Sequence, residues 1–551
     1  MAAATVVDAP SSWPKDVRPP IVSYTPSMWG DTFTSFTLDH QVQEKYAETI
    51  EALKQEARMM LMAEKYTISE KLVMIDTFER LGVAYHFEQE IEELVEEILK
   101  FDSEEDNSLF TVALRFRLLR QHRHHSSCRV FDNFKGIDNK FKETLNSDAK
   151  GLLSLYEATH LRIHGEQILE EALVFTTNHL KHMVQQLDSP LQDQVKRALE
   201  QPLHRGNPRI ETRYYISFYE KDNSKNDLLL KLAKLDFNYV QNMYKKDVCE
   251  LSRWWNELDL KSKLPYARDR VVEAYVWATT FHVKPQYSYV RVAVAKSIQM
   301  LTTLDDTYDN YATLDEADLF TEIMQRWNID EIHQLPDYMK IMYKVILTVY
   351  EDYERDAAKQ GKLFTVPYAT QAVKELCKAY NKELKWFMGE KMPSFEDYIA
   401  NTMITSCLYV ICSSTIPGMK SVTKETIDWM MSEPKIFKAS AKVCRYLDDL
   451  GSFEREGKQG KTLTGVDFYM KQHGLSMQET TNKFVELTED AWKDLNTEWM
   501  TKTSTPTDMV EQVLGYARAS EIFYRSCQDG FTNTEVVAPY VVAFLVDPII
   551  M

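Results

Sequence analysis

Val290-Arg291-Val292-Ala293-Val294-Ala295-Lys296-Ser297-Ile298-Gln299-Met300-Leu301-Thr302-Thr303-Leu304-Asp305-Asp306-Thr307-Tyr308-Asp309 is the stretch on which the fold reading turns. Val290, Ala293, Val294, Ser297, Leu301 and Leu304 recur three or four residues apart, the period of a helix with one buried face. The helix ends in a D-D-x-x-D sequence. Asp305 and Asp309 lie about one turn apart, so both leave the face of Leu301 toward the inside of a bundle. Paired carboxylates without an adjacent His or Cys suit a hard cation that keeps waters and bridges to phosphate oxygens, which describes magnesium. On this motif alone a solvated acidic helix end remains an alternative, and Asp315, Glu316 and Asp318 read as a solvated face.

Composition extends the helical reading outward. The 16 glycines and 18 prolines in 551 residues are about half of the roughly 12% usual in soluble proteins. So few turn formers favour long helices over many short strands. From about Thr37 to His204 the helical period recurs, broken by polar stretches such as Asp102 to Ser108. The turn-rich segment Lys221 to Asp227 (KDNSKND) precedes a fresh helical pattern in Leu228 to Asn242. A chain longer than the roughly 250–300 residues at which single cores stop growing divides into domains. The predicted fold is all-α with two helical domains, 1–225 and a larger 226–551, and no fixed-period repeat is visible.

A net charge of −18 opposes a nonspecific grip on nucleic acid or on an anionic membrane. An anionic substrate must therefore meet local cations. Cys128, Cys249, Cys377, Cys407, Cys412, Cys444 and Cys527 are odd in number and form no C-x-x-C pair, which suits a reducing compartment and indicates no zinc or redox site. His122-Arg123-His124-His125 with Cys128 reads as a polar loop, since flanking arginines repel a cation. The apolar run Val536 to Val546 contains Pro539 and is shorter than the roughly 18 residues of a membrane span. The N-terminus carries Asp8 and Asp16, without an apolar signal core or an Arg/Ser-rich leader. A soluble, cytoplasmic protein is expected.

A second acidic set lies in Arg445-Tyr446-Leu447-Asp448-Asp449-Leu450-Gly451-Ser452-Phe453-Glu454-Arg455-Glu456. Asp448, Ser452 and Glu456 are spaced i, i+4, i+8, so they share one helix face and all offer oxygen. Two such sets on facing helices are able to hold a metal cluster between them, as bundle cores do. Upstream, Arg268-Asp269-Arg270 taken alone reads as a surface ion-pair group, and Trp277 as a core aromatic. Gly457-Lys458-Gln459-Gly460-Lys461 reads equally as a solvated turn or a closing lid.

In this order the motifs resemble the plant terpene synthases, and within them the class I sesquiterpene synthases of flowering plants. The resemblance runs from Arg18-Pro19 and Trp29 through Phe78-Glu79-Arg80-Leu81-Gly82-Val83 and Ala113-Leu114-Arg115-Phe116-Arg117-Leu118-Leu119-Arg120 to the R-x-R, D-D-x-x-D and D-D-x-x-S-x-x-x-E motifs. It implies a non-catalytic N-terminal helical domain and a C-terminal class I helical bundle with a deep apolar pocket. Asp305 and Asp309 would bind two magnesium ions with Asp306 just behind them, and Asp448, Ser452 and Glu456 a third, with Mn2+ as a substitute metal. Arg268, Arg270 and Arg445 would take the diphosphate, and Lys458 and Lys461 would reach it from the loop. Trp277, Tyr524 and Phe531 match pocket-lining positions, Asp529 a position that orders that wall, and Ser406-Cys407 a helix break that touches the substrate. Phe531 stands where some relatives carry a tyrosine, which removes a hydroxyl able to relay a proton.

The family's D-x-D-D motif, which protonates an alkene, is absent, so the resemblance implies chemistry that begins with diphosphate departure. The expected enzyme is a monomeric lyase that converts farnesyl diphosphate to a sesquiterpene by cyclisation or rearrangement, then deprotonation or water capture. The short leader and Arg18-Pro19, where plastid members carry a paired arginine, favour farnesyl diphosphate. A monoterpene synthase using geranyl diphosphate and a non-catalytic helical relative are the alternatives.

Overall fold

The computed structural model describes residues 24–100, 107–389, 392–458, 464–502 and 505–551. Arg18-Pro19, Lys461 and the side chain of Lys458 lie outside the described residues. Among the described residues every long element is a helix, and the nearest thing to a strand is one isolated bridge between Lys135 and Phe141. Among the described residues, eight α-helices run from His40–Leu61 to Pro208–Lys221 before the turn.

The helices that build the site follow it. Helix α1, Asp227–Leu258, starts where the Asn226 side chain accepts from the Leu229 amide and stops at Asp259, whose φ of 52° breaks the helix. Helix α2, Val271–Ala278, is buried at all eight positions. Helix α3, Ser288–Asn310, carries the opening stretch: Val290, Val294, Ser297, Leu301 and Leu304 are buried as the period predicts, and Ala293 is half-buried. Helices α4, Val366–Phe387, α5, Phe395–Thr405, and α6, Leu408–Ser414, come next. They are followed by α7, Lys435–Lys458, α8, Met477–Met500, and α9, Thr507–Phe523. Helix α3 packs on α1, α2, α4 and α6, while α7 lies along α8 and α9, so the two acidic helices belong to one bundle.

By length and composition Phe395–Gly418 matches a membrane crossing, with a mean hydropathy of 1.4, and 61% of that window is buried inside the protein. It corresponds to α5 and α6 in the bundle wall, and its apolarity is that of a core element.

The KDNSKND turn separates helices, but the packing does not divide there. One apolar cluster runs from Trp29 and Phe78 through Leu232 and Trp277 to Leu545, with a second confined to residues 109–198 and a third around Trp386, Tyr398 and Phe484. Polar ties join the two sides of the turn. The Trp29 Nε1–H donates to Glu273 at 2.9 Å, Arg162 and Arg205 both reach Glu489 at 2.6 and 2.7 Å, and His204 Nε2 meets Asn496 at 2.9 Å. The His122–Cys128 stretch reaches this seam through Arg123, which donates to the Trp499 carbonyl at 3.0 Å, while His122 meets Glu79 on its own side at 2.6 Å.

Candidate active site

The D-D-x-x-D sequence divides by one residue of helical phase. Asp306 is fully buried and its oxygens accept from the Arg268 main-chain N–H at 2.7 Å, from Arg268 Nε at 3.0 Å and from Asn310 Nδ2 at 3.0 Å. Asp305 and Asp309 instead line a cavity of about 270 Å³. The ligand oxygens of all three lie within 4.8 Å of one another, and among the described residues this is the acidic or His/Cys group with metal-ligand spacing. Burial, and then Asp309, push the Asp305 carboxyl up, while Arg268 at 3.0 Å opposes the rise. Crowded carboxylates of this kind are relieved by a cation.

Helix α7 brings the second set to the same cavity, where Asp448, Asp449 and Glu456 join the lining. Ser452 is buried on the helix face between Asp448 and Glu456. Arg445, one turn earlier, pairs with Asp448 and donates to Asp449 at 3.0 Å. Asp449 also accepts from the Tyr398 hydroxyl at 2.9 Å, and burial, opposed by Arg445, raises its carboxyl to about 7. Gly451 permits the close approach of the 524–530 segment, since a Cβ there would stand 3.1 Å from the Gln528 carbonyl oxygen.

One wall of the cavity is aromatic. Trp277 stacks on Phe523 with ring centroids 4.9 Å apart, and meets Tyr524 and Phe531 edge-on at 6.1 and 6.0 Å. Asp529 folds the turn that presents Phe531 by accepting from the main-chain N–H groups of Phe531 and Thr532 at 3.1 and 2.8 Å. Burial would raise its carboxyl, but Arg455 and the Thr532 N–H hold it below the usual range.

Ser406 and Cys407 separate α5 from α6 and both line the cavity. The Tyr516 hydroxyl donates to the Ser406 carbonyl. Cys407 is left-handed at φ 65°, and its thiol lies 3.1 Å from the Tyr380 hydroxyl. A non-glycine residue in this conformation costs about 1–2 kcal/mol, and the surrounding contacts hold it there.

Of the expected residues, Arg268, Trp277, Asp305, Asp309, Ser406, Cys407, Arg445, Asp448, Glu456, Tyr524, Asp529 and Phe531 line this one cavity. Asp306, Ser452 and Arg270 sit behind it, each 2% exposed or less. Sequence reasoning missed Tyr24, Tyr380, Glu383, Arg455 and Tyr516, which also line it. Glu383 accepts from Thr405 at 2.7 Å and is raised to about 7 by burial. Only Arg455 carried a signal, as a cation inside an acidic motif; the others lie in ordinary helical or segment-end sequence.

The donor set tests the implied metal. Carboxylates on two helices, Asp305 and Asp309 on one and Asp448 and Glu456 on the other, face one cavity, and burial together with Asp309 destabilises the Asp305 carboxylate; an all-oxygen set of this kind fits magnesium and not a soft metal.

Residues 256–494 match the family model described as "Terpene synthase family, metal binding domain", and residues 28–199 the "Terpene synthase, N-terminal domain". The chain is 52% identical over 542 residues to a gamma-cadinene synthase of Ocimum basilicum, covering 98% of this chain and 99% of the relative. It is 50% identical to a tau-cadinol synthase of Lavandula angustifolia, covering 97% and 98%. Among solved structures it resembles limonene synthase with 2-fluorolinalyl diphosphate at a TM-score of 0.91 and 30% identity, covering 97% of this chain and all of that one. It also resembles grey poplar isoprene synthase in complex with three Mg2+ ions and dimethylallyl-S-thiolodiphosphate, at a TM-score of 0.87 and 34% identity, covering 92% and 98%. Two acidic helices opening on one aromatic cavity, both family models matched in order, and relatives half identical along nearly the whole length lead to one conclusion: the chain belongs to the plant terpene synthases.

Proposed function

We propose that the chain is a sesquiterpene synthase that ionises farnesyl diphosphate and guides the resulting carbocation to a hydrocarbon or alcohol. The observation that carries this reading is the joint lining of one cavity by Asp305, Asp309, Asp448 and Glu456 at the polar end and by Trp277, Tyr524 and Phe531 along the wall. The cadinene- and cadinol-forming names of the relatives support the fifteen-carbon substrate class.

Asp305, Asp309, Asp448, Ser452 and Glu456 would hold three magnesium ions, or manganese in their place, and the number of ions is supported by the isoprene synthase complex. Bound metal would supply positive charge to the diphosphate oxygens as they take up the electron pair of the breaking carbon–oxygen bond. Asp306 acts from behind, fixing the main-chain and side-chain N–H groups of Arg268 so that the guanidinium faces the cavity. Arg268 and Arg445 bind and orient the diphosphate, with Lys458 and Lys461 as further cations for it. Trp277, Tyr524 and Phe531 exclude water and offer ring faces to the cation, each worth roughly 0.5–2 kcal/mol. Asp529 orders the turn that sets the Phe531 ring. Ser406 and Cys407 shape the opposite wall.

The same proposal takes 1–225 as the non-catalytic unit and 226–551 as the catalytic one, working as a monomer in the cytosol. Incubation with magnesium and either farnesyl or geranyl diphosphate, followed by gas-phase product analysis, tests it. Cyclic fifteen-carbon products are expected; exclusive turnover of geranyl diphosphate would establish the monoterpene alternative, and no diphosphate release from either substrate the non-catalytic one.

A further inference from the structure

We propose that Arg455, and not Arg270, is the third guanidinium that meets the diphosphate, while Arg270 is a positioning residue for the pocket wall. The inference rests on reading the site as a prenyl diphosphate lyase.

Arg270 is 1% exposed and does not line the cavity. Its Nε–H donates to the Phe531 carbonyl at 2.9 Å, Nη1 to the Asp269 carbonyl at 2.6 Å, and Nη2 to the carbonyls of Thr532 at 3.0 Å and Thr25 at 3.2 Å. Its main-chain N–H is held by Gln299 at 2.8 Å, and Gln299 returns a bond to the Arg268 carbonyl at 2.9 Å. The guanidinium thus ties the turn bearing Phe531 to the segment at Thr25. Turning it toward a diphosphate would take the donor from the buried Phe531 carbonyl, which is costly to leave unpaired, and from the part-buried carbonyls of Asp269, Thr25 and Thr532.

Arg455 has the opposite setting. It lies seven residues after Asp448 on α7, which brings it within about 20° of the same helix face after two turns. It lines the cavity beside Arg268 and Arg445, and its side chain is 24% exposed. Its Nε–H donates to Asp529 at 3.0 Å, and an Nη lies 3.2 Å from Glu456. Asp529 and Glu456 themselves line the cavity, so these contacts hold the guanidinium at the cavity surface, where an incoming anion can share it. A planar fork of donors suits phosphate oxygens. Arg455 also couples anion binding to the wall, because Asp529 orders the Phe531 turn.

Calorimetric binding of inorganic diphosphate with magnesium to the full-length protein, combined with product profiles from farnesyl diphosphate, tests the assignment. Arg455→Gln should weaken diphosphate binding about tenfold and Arg455→Lys should recover part of it. Arg270→Lys should bind diphosphate within about twofold of the parent yet change its product ratio, since only the wall is disturbed. Unchanged binding by Arg455→Gln would overturn the proposal, and so would a tenfold loss confined to Arg270→Lys. Should Arg270→Lys not fold, the Arg455 pair decides alone. A parent protein that neither binds diphosphate nor turns over a prenyl diphosphate would sink the proposed function itself, a separate outcome.

Discussion

The hydroxyl of Tyr516 on α9 donates to the main-chain carbonyl of Ser406, the residue where the helix through the opposite wall is interrupted. A carbonyl released by a helix break needs a donor, and Tyr516 supplies one from a separate helix. Tyr516→Phe should therefore lower stability by about 1–3 kcal/mol, the cost of one unsatisfied buried group. It should also broaden the product mixture, because Cys407 loses its fixed neighbour. Denaturation midpoints and product analysis check both, and an unaltered product profile would show that this anchor does not shape the pocket.

Asp305→Asn should cut turnover about a hundredfold or more while the protein stays folded, because the change removes a charged cavity oxygen and no core contact. Rates at limiting magnesium are the measurement, and near-normal turnover would remove Asp305 from the metal set.

Heat stability offers a test that needs no turnover. Magnesium and inorganic diphosphate together should raise the melting temperature by more than the sum of their separate shifts, since each completes the surroundings of the other. Purely additive shifts would count against a shared cluster.

Trp277→Phe should retain much of the activity, whereas Trp277→Leu should lose most of it or release less cyclised products, because only leucine lacks a ring face. If the indole merely fills space beside Phe523, both variants should lose stability by a few kcal/mol at most and make the same products. Rate and product ratio at equal folded concentration separate the two cases.

Acid should weaken the seam through His204. Burial, reinforced by Arg518, lowers its imidazole to about 3, so the folded protein keeps it neutral while an unfolded histidine protonates near 6.5. The unfolded chain then binds the extra proton, and the stability due to neutral His204 is lost as pH falls below about 6.5, by about 2 kcal/mol at pH 5. His204→Gln should lose less stability than the parent between pH 7 and pH 5. Equal losses in urea midpoints would show that another group sets the acid limb.

The helical period of Val290–Leu304 and the i, i+4, i+8 spacing of Asp448, Ser452 and Glu456 made the bundle and its acidic helices legible from sequence, because each pattern is local. The convergence of Trp277, Tyr524, Phe531 and Ser406 came from family resemblance, since no local pattern joins residues hundreds of positions apart. What stayed hidden was direction. Asp305 and Asp306 are neighbours of the same type, and only the packing of Arg268 and Asn310 shows that one faces the cavity and the other the loop. Arg268 and Arg270 are likewise alike in sequence, and only the carbonyls of Phe531 and Thr532 tell them apart.

The apolar cluster that passes from Trp29 to Leu545 without regard to the KDNSKND turn bears on how hybrids of this enzyme should be made. Joining the front portion of one relative to the back portion of another at residue 225 would cut few covalent constraints, yet it would mismatch Trp29 with Glu273, Arg205 with Glu489 and His204 with Asn496. Such a chimera inherits a foreign footing for the helix that carries Trp277. Its altered product spectrum would then report a tilted catalytic half, even with every cavity residue retained.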